Sequence, residues 1–396
     1  MEDALTLNQA AARVGVSPPT LRRWARTGVV PGVEGNGGWS TAAIAHARIV
    51  ARLRERGHPL DQIRAATEQG RLAYGYIEDL LGTEDRRRSL RDVSGTTGLE
   101  PALIERFWNG IGLPAASLEQ LTDEDVQALH YVAAVLDAGF PLVAFLQLCR
   151  VYGQALAEIA DAEVRLFHLY VHEPLMREGV PGLEMAEQME SLAGDLLPLS
   201  TPLMDYVHHR FLRRFVEQDV VGHMESELPD EDLALGRVRV AIAFADLAGY
   251  TRFTEEEGDE EALSLVERFV EGVSATLPDD ARVIKTIGDE VMVVGSDIRA
   301  LVDWAVGFVS FFHERPEPRI GVHWGTSLYR DGDYYGREIN LASRVVARAR
   351  GGEVLVTDTV MDAVKRESHL SFDQIGQVKL KGFDEPRQLV RATSTA

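Results

Sequence analysis

An apolar run over residues 238–245 ends on a carboxylate, Asp246, and the next strong pattern is a short hairpin, 283–287 with 290–294 about the turn Gly288-Asp289. An apolar run of that length bounded by polar residues reads as a buried strand. Two strands joined by two residues pair antiparallel. A helical pattern over 260–275 lies between the first strand and the hairpin. Helix (298–313), strand (319–325), helix (339–350) and strand (353–356) follow, with more strand near the C-terminus. A hairpin in mid-domain excludes a doubly wound parallel sheet, so this part of the chain is α+β. The turn projects Asp289 at a strand end, the same end as Asp246 if the strands are neighbours.

Three segments within this pattern hold the chemistry. They are Phe244-Ala-Asp-Leu-Ala-Gly-Tyr-Thr, Ile284-Lys-Thr-Ile-Gly-Asp-Glu and Asp333-Tyr-Tyr-Gly-Arg-Glu-Ile-Asn-Leu-Ala-Ser-Arg. In this order, and with every polar position filled, they resemble the catalytic domain of class III adenylate cyclases over residues 237–396. The resemblance implies a ferredoxin-like core and a reaction in which the ribose 3′-hydroxyl of ATP attacks the α-phosphate, giving cyclic AMP and pyrophosphate. It implies that Asp246 and Asp289 hold two Mg²⁺ or Mn²⁺ ions, a carboxylate arrangement suited to hard cations and phosphate. Arg344 would place fixed positive charge on the transition state, Asn340 would orient the ribose, and Lys381, in Leu380-Lys-Gly, would bind the terminal phosphates. Lys285 and Asp333 would read the base. A donor and an acceptor in that pair match N1 and the 6-amino group of adenine, whereas guanine reverses the pattern and leaves polar groups unpaired. In the family the metal residues and the base and transition-state residues serve one site from two subunits. A chain with both sets therefore implies a homodimer with two composite sites.

The first third reads differently. Leu7 to Trp24 has the pattern helix, tight turn at Gly15, and a second helix started by Ser17 and Pro18. Leu21 and Trp24 then face inward and Arg22, Arg23 and Arg26 outward. A Gly-rich stretch, 31–40, contains Asn36-Gly37, a hairpin-turn pair, and helices are expected at 41–56 and 59–68. This order resembles the winged helix-turn-helix of MerR-type regulators, in which the second helix enters the major groove. The three arginines, with the wing at 36–39, are then candidate DNA contacts; the plainer reading is a helical module that keeps the shape alone. Residues 1–70 hold nine Arg against six Asp and Glu, a net of +3 on a chain of −21. That asymmetry is what a single polyanion-binding segment would give.

The pattern repeats. At an offset of 83, Gly98 falls on Gly15, Pro101 on Pro18, Ile104 on Leu21 and Phe107 on Trp24; at 82, Gly139-Phe-Pro-Leu falls on Gly57-His-Pro-Leu. Long-range self-similarity of this kind reads as a duplicated fold. Glu105 and Asn109 stand where the first copy has Arg22 and Arg26, so the second copy reads as structural or regulatory. The expected organisation is a MerR-like module (1–82), a helical regulatory domain (83–216), a linker (217–236) and the cyclase domain (237–396).

Helical patterns over 126–138, 141–170 and 182–217 read as a bundle core or a dimer interface. The region is similar to the helical autoinhibitory or pH-sensing domain ahead of some bacterial class III cyclases, where effectors have been pH or fatty acid. His168 with His172, and His208 with His209, are the imidazoles placed to sense pH. No apolar stretch is read as spanning a bilayer, since Asp137, Gly139 and Pro141 break 130–149 into two buried helices. With Met-Glu-Asp-Ala at the start and the single Cys149, a cytoplasmic protein is expected. The competing function is a DNA-binding regulator whose cyclase-like domain senses nucleotide or dimerises.

Overall fold

The computed structural model describes residues 5–31, 38–73, 87–180, 182–225, 236–364 and 369–395. The chain divides into two compact units, Met1–Arg210 and Phe211–Ala396.

In the first unit a four-helix order recurs at the offsets noted in the sequence. One copy has α1 (Leu7–Val14), α2 (Pro18–Arg26), α3 (Thr41–Glu55) and α4 (Leu60–Glu68); the other has α5 (Leu90–Thr97), α6 (Pro101–Gly110), α7 (Asp123–Asp137) and α8 (Leu142–Phe167). Each copy opens on an isolated antiparallel bridge, Leu5 with Trp39 and Arg88 with Leu121. Side-chain N-caps coincide too, Ser40 with Thr122, each worth about 1 kcal/mol. Gly15 and Gly98 both close a first helix in the left-handed region, at φ 77° and 72°, where a side chain is disfavoured. Leu21, Trp24, Ala47 and Val50 fill one core, and Ile104, Phe107, Leu129 and Val132 occupy the equivalent places in the other. Arg22, Arg23 and Arg26 are exposed, as their helical phase requires. The proposed wing is not available as drawn: residues 36 and 37 lie outside the described residues, and Trp39 is buried in the core and bridged to Leu5.

His46 on α3 is 1% exposed, and its Nε2–H donates to the Val29 carbonyl at 2.9 Å. Burial pushes its pKa down from 6.5 to about 4. A lowered histidine pKa stabilises the fold fully above 6.5, and that contribution is lost as pH falls towards 4. The loss amounts to roughly 3 kcal/mol. Acid should therefore weaken this module. His46→Gln should flatten the fall in its unfolding midpoint between about pH 7 and 4.5, as followed by circular dichroism.

Helix α8 continues through a π-helical turn, His168–His172, into α9 (Glu173–Arg177). The expected break of 130–149 into two helices holds, α7 ending at Asp137 and α8 starting at Leu142, but α8 is not buried as a whole. Only Phe145, Leu146 and Cys149 of α8 are buried, while Val143, Tyr152, Leu156 and Ile159 are exposed. By length and composition, Leu142–Arg177 is the one helix among the described residues that is long and apolar enough to cross a membrane. His172 is buried; its Nε2–H donates to the Gly70 carbonyl at 3.0 Å, and its Nδ1 accepts from His168 Nδ1 at 3.0 Å. His208 and His209 are exposed. Helix α10 (Gly182–Glu225) runs on through Pro198 and Pro202, although each proline forfeits a helical hydrogen bond. The expected linker is thus helical to Glu225, and its remainder, 226–235, lies outside the described residues.

The second unit is a mixed sheet with helices on both faces. Its strands are β1 (Arg237–Leu247), β2 (Arg282–Ile287), β3 (Glu290–Gly295), β4 (Pro318–Arg330), β5 (Asp333–Tyr335), β6 (Val354–Thr357), β7 (Leu370–Val378) and β8 (Arg387–Ser394), in the order β2-β3-β1-β4-β6-β8-β7 with β5 on β4. Among the described residues only β4 and β6 pair parallel; the α+β expectation holds. Strand β1 lies between β3 and β4 and is buried from Val240 to Leu247, hence its unbroken apolar run. Its Ala241, Ala243 and Ala245 pack under α12 (Asp259–Thr276) and α13 (Ile298–Phe311). Val240, Ile242 and Phe244 face α14 (Arg337–Val346) on the other side. Two helices were not legible. The first, α11 (Tyr250–Glu257), is nearly all polar, and the second, α15 (Asp358–Val364), spans only 7 residues.

Candidate active site

At the end of β1, Asp246 is paired in register with Glu290 of β3 and Arg319 of β4. It is 8% exposed. Arg319 donates to its Oδ2 from Nε at 2.7 Å and from Nη2 at 2.5 Å, and from Nη1 to the Ala349 carbonyl at 3.3 Å. Gly288, at φ 64°, takes the left-handed turn that joins β2 to β3 and brings Asp289 against Asp246. Burial, then the hydrogen bond to Asp246 and its charge, push Asp289 up to about 7, against the opposing pull of Arg319. Two carboxylates this close cannot both ionise cheaply. Glu290 is also raised, first by burial and then by Asp246, with Arg319 and Arg344 opposing. Arg319 and Glu290 were missed by sequence reasoning. The register of β1 against β4 identifies Arg319, and no local motif does.

A second pair sits on the sheet's edge. Lys285 Nζ meets Asp333 Oδ2 at 2.5 Å, with both side chains partly exposed. An irregularity in the pairing of β2 and β3 falls between Val283 and Lys285, which re-aims the lysine. Asp333 is oriented by its other oxygen, which accepts from the Tyr334 N–H at 2.7 Å. The Tyr334 hydroxyl in turn accepts from Arg282 at 2.8 Å.

The third group stands on α14, where Asn340 and Arg344 are exposed one turn apart. The helix lies close on β4 because Gly321 has no side chain: a Cβ there would meet Val346 N at 2.3 Å. Lys381 is exposed in the turn between β7 and β8, and its neighbours Leu380 and Phe383 pack against Leu341 and Val345 of α14. Arg22, Arg23 and Arg26 belong to the other unit.

No group of three or more His, Cys, Asp or Glu among the described residues could hold a metal by itself. The Asp246–Asp289 pair nevertheless fits Mg²⁺ or Mn²⁺. Ions of this kind take one or two carboxylates and complete their shell with water and substrate phosphate. A cation between the two carboxylates would relieve their repulsion.

Paired acids at the end of β1 and in the β2–β3 turn of a mixed sheet, with an arginine on the adjoining helix, fit a nucleotidyl cyclase. Residues 236–391 match the adenylate and guanylate cyclase catalytic domain, and residues 31–215 match the adenylate cyclase regulatory domain. A pH-sensitive adenylate cyclase of Mycobacterium tuberculosis is 30% identical over 82% of this chain and 81% of its own length. An adenylate cyclase of Streptomyces coelicolor is 32% identical over 71% and 72%. Among solved structures, the adenylyl cyclase CyaB of P. aeruginosa has a TM-score of 0.37 and 22% identity, over 41% of this chain and 98% of that one. The chain belongs to the adenylate cyclase family, with a regulatory domain ahead of the catalytic domain. It is an adenylate cyclase.

Proposed function

We propose that ATP is cyclised between two copies of this chain, with Asp246 and Asp289 of one copy facing Lys285, Asp333, Asn340 and Arg344 of the other. The observation that carries the reading is the pair of carboxylates, Asp246 at the end of β1 bonded to Arg319 and Asp289 brought against it by the Gly288 turn. That is an acid pair suited to divalent cations and triphosphate. Asp246 and Asp289 would hold two Mg²⁺ or Mn²⁺ ions, which when bound would supply Lewis-acid stabilisation of the attacking oxygen and the leaving group. Asn340 orients the ribose so that its 3′-oxygen lies in line with the α-phosphorus. Arg344 meets the charge that grows on the phosphoryl oxygens as the new bond forms and pyrophosphate leaves. Lys381 holds the terminal phosphates, and Lys285 with Asp333 reads adenine.

The exposed arginines of α2 leave DNA binding as a separate property that this reaction does not use. The direct test is cyclic nucleotide formation by the full chain and by Asp246→Asn, with ATP and GTP side by side. Cyclic AMP from the first and none from the second is expected. Equal use of GTP would sink the base-reading assignment, and an active Asp246→Asn would sink the metal assignment.

A pH dependence follows from Asp289. Its raised pKa stabilises the metal-free fold most below its ordinary value near 3.8, and that contribution disappears as pH rises through about 7. Metal must displace the same proton. The Mn²⁺ concentration for half-maximal rate should therefore rise about tenfold per pH unit below 7, as rate titrations at pH 6 and pH 8 would read. Equal metal demand at both would remove Asp289 from the metal site.

A further inference from the structure

We propose that His323 and Glu338 form a positioning pair that fixes α14, and with it Asn340 and Arg344, along the sheet. The inference rests on the roles given above to those two residues and adds what holds them in place. His323 points from the middle of β4 into the layer between sheet and α14, and it is 3% exposed. Its Nε2 lies 2.5 Å from Glu338 Oε2 and its Nδ1 lies 2.9 Å from the Thr357 hydroxyl of β6. The Thr357 oxygen also lies 2.9 Å from the Thr359 hydroxyl. A neutral imidazole satisfies this chain: Nε2–H donates to the carboxylate and Nδ1 accepts from Thr357. The charges that reach His323 are those of Glu338, Asp358 and Arg387, and burial outweighs them in keeping it neutral.

The packing of α14 explains why a directional contact is needed. Gly321, His323 and Gly325 share one face of β4. A Cβ on Gly325 would stand 2.9 Å from Glu338 Cγ and 3.0 Å from His323 Nε2, and one on Gly321 would strike the backbone of Val346. The two glycines are about 13 Å apart along the strand, and Glu338 and Val346 are about 12 Å apart along the helix. The helix therefore lies lengthwise on β4 over two bare positions. Its buried Ile339, Ala342 and Val346 pack against Val240, Ile242 and Phe244. Such contacts resist lifting, but glycine offers no knob against sliding or rolling. The bond from His323 to Glu338 has both direction and a fixed length. It sits two residues before Asn340 and six before Arg344.

The test is steady-state kinetics on the full chain with Glu338→Ala, Glu338→Asp and Glu338→Gln, alone and with Arg344→Ala. Glu338→Ala should lower kcat roughly 10- to 100-fold with little change in KM for ATP, the size of effect expected from misplacing reacting groups by an ångström. Glu338→Asp, which withdraws the carboxylate by one methylene without opening a hole, should do the same. If the alanine chain does not fold, the aspartate chain decides. Glu338→Gln keeps an acceptor for Nε2–H and should retain most of the rate. In the Arg344→Ala background Glu338→Ala should cost less than it does alone, because one of the two groups it positions is gone. Full kcat in Glu338→Asp, equal damage from glutamine and alanine, or losses that multiply in the double variant would overturn the pairing. An Arg344→Ala chain with normal rate would overturn the assignment beneath it and the inference with it. A crippled Arg344→Ala beside a normal Glu338→Asp would overturn the inference alone.

Discussion

Replacing Arg344 with alanine is expected to lower kcat for cyclic AMP formation by roughly 10³-fold or more, the effect of removing an arginine from a phosphoryl-transfer transition state. The KM for ATP should change little, because the ground-state triphosphate is held by other groups. The side chain is exposed on α14, so its removal opens no cavity and the unfolding midpoint should stay nearly constant. Arg344→Lys should recover only part of the rate, since a point charge does not replace the planar fork. The measurement is initial rate at saturating ATP and Mn²⁺ with a parallel thermal scan. A rate within tenfold of the unaltered chain would remove Arg344 from the transition state.

Mixing two dead chains should restore activity. Asp246→Asn abolishes metal holding on its own chain, and Arg344→Ala abolishes transition-state charge on its own; each homodimer is then silent at both sites. In a mixed dimer, one site receives both defects and the other receives none. Random pairing of equal amounts makes half of the dimers mixed, so about a quarter of the unaltered activity should return. Co-purification of differently tagged chains checks that subunits exchange. Silence despite exchange would mean that each chain builds its site from its own residues, and the two-subunit arrangement would be abandoned.

The candidate site residues are easier to pick out in the sequence than the fold around them, for a physical reason. Asp246, Lys285, Asp289, Asp333, Asn340 and Arg344 fall in three short segments whose order survives without any knowledge of the sheet. Arg319 became visible only through pairing, because its meaning comes from lying opposite Asp246 across 73 residues of chain. His323 reads from sequence as an ordinary strand residue, and its contact depends on how low α14 lies on β4. The recurrence was legible because capping, left-handed glycines and core positions repeat at offsets of 83 and 82. The same local logic misjudged α8: apolar content was taken to mean burial, yet much of its apolar side is exposed within this chain. Trp39 failed in the opposite sense, since a Gly-rich neighbourhood made a core residue look like part of a surface loop.

The edge pair has one more consequence. Lys285 and Asp333 meet at 2.5 Å, so in the base-reading role proposed for them an arriving purine would have to part the pair before it could bond to either. Every nucleotide meets that toll, and only a base carrying an acceptor beside a donor in the right order recovers it. Selectivity of this kind is obtained by weakening all binding, and it favours a cyclase whose turnover follows the ATP level rather than saturating below it.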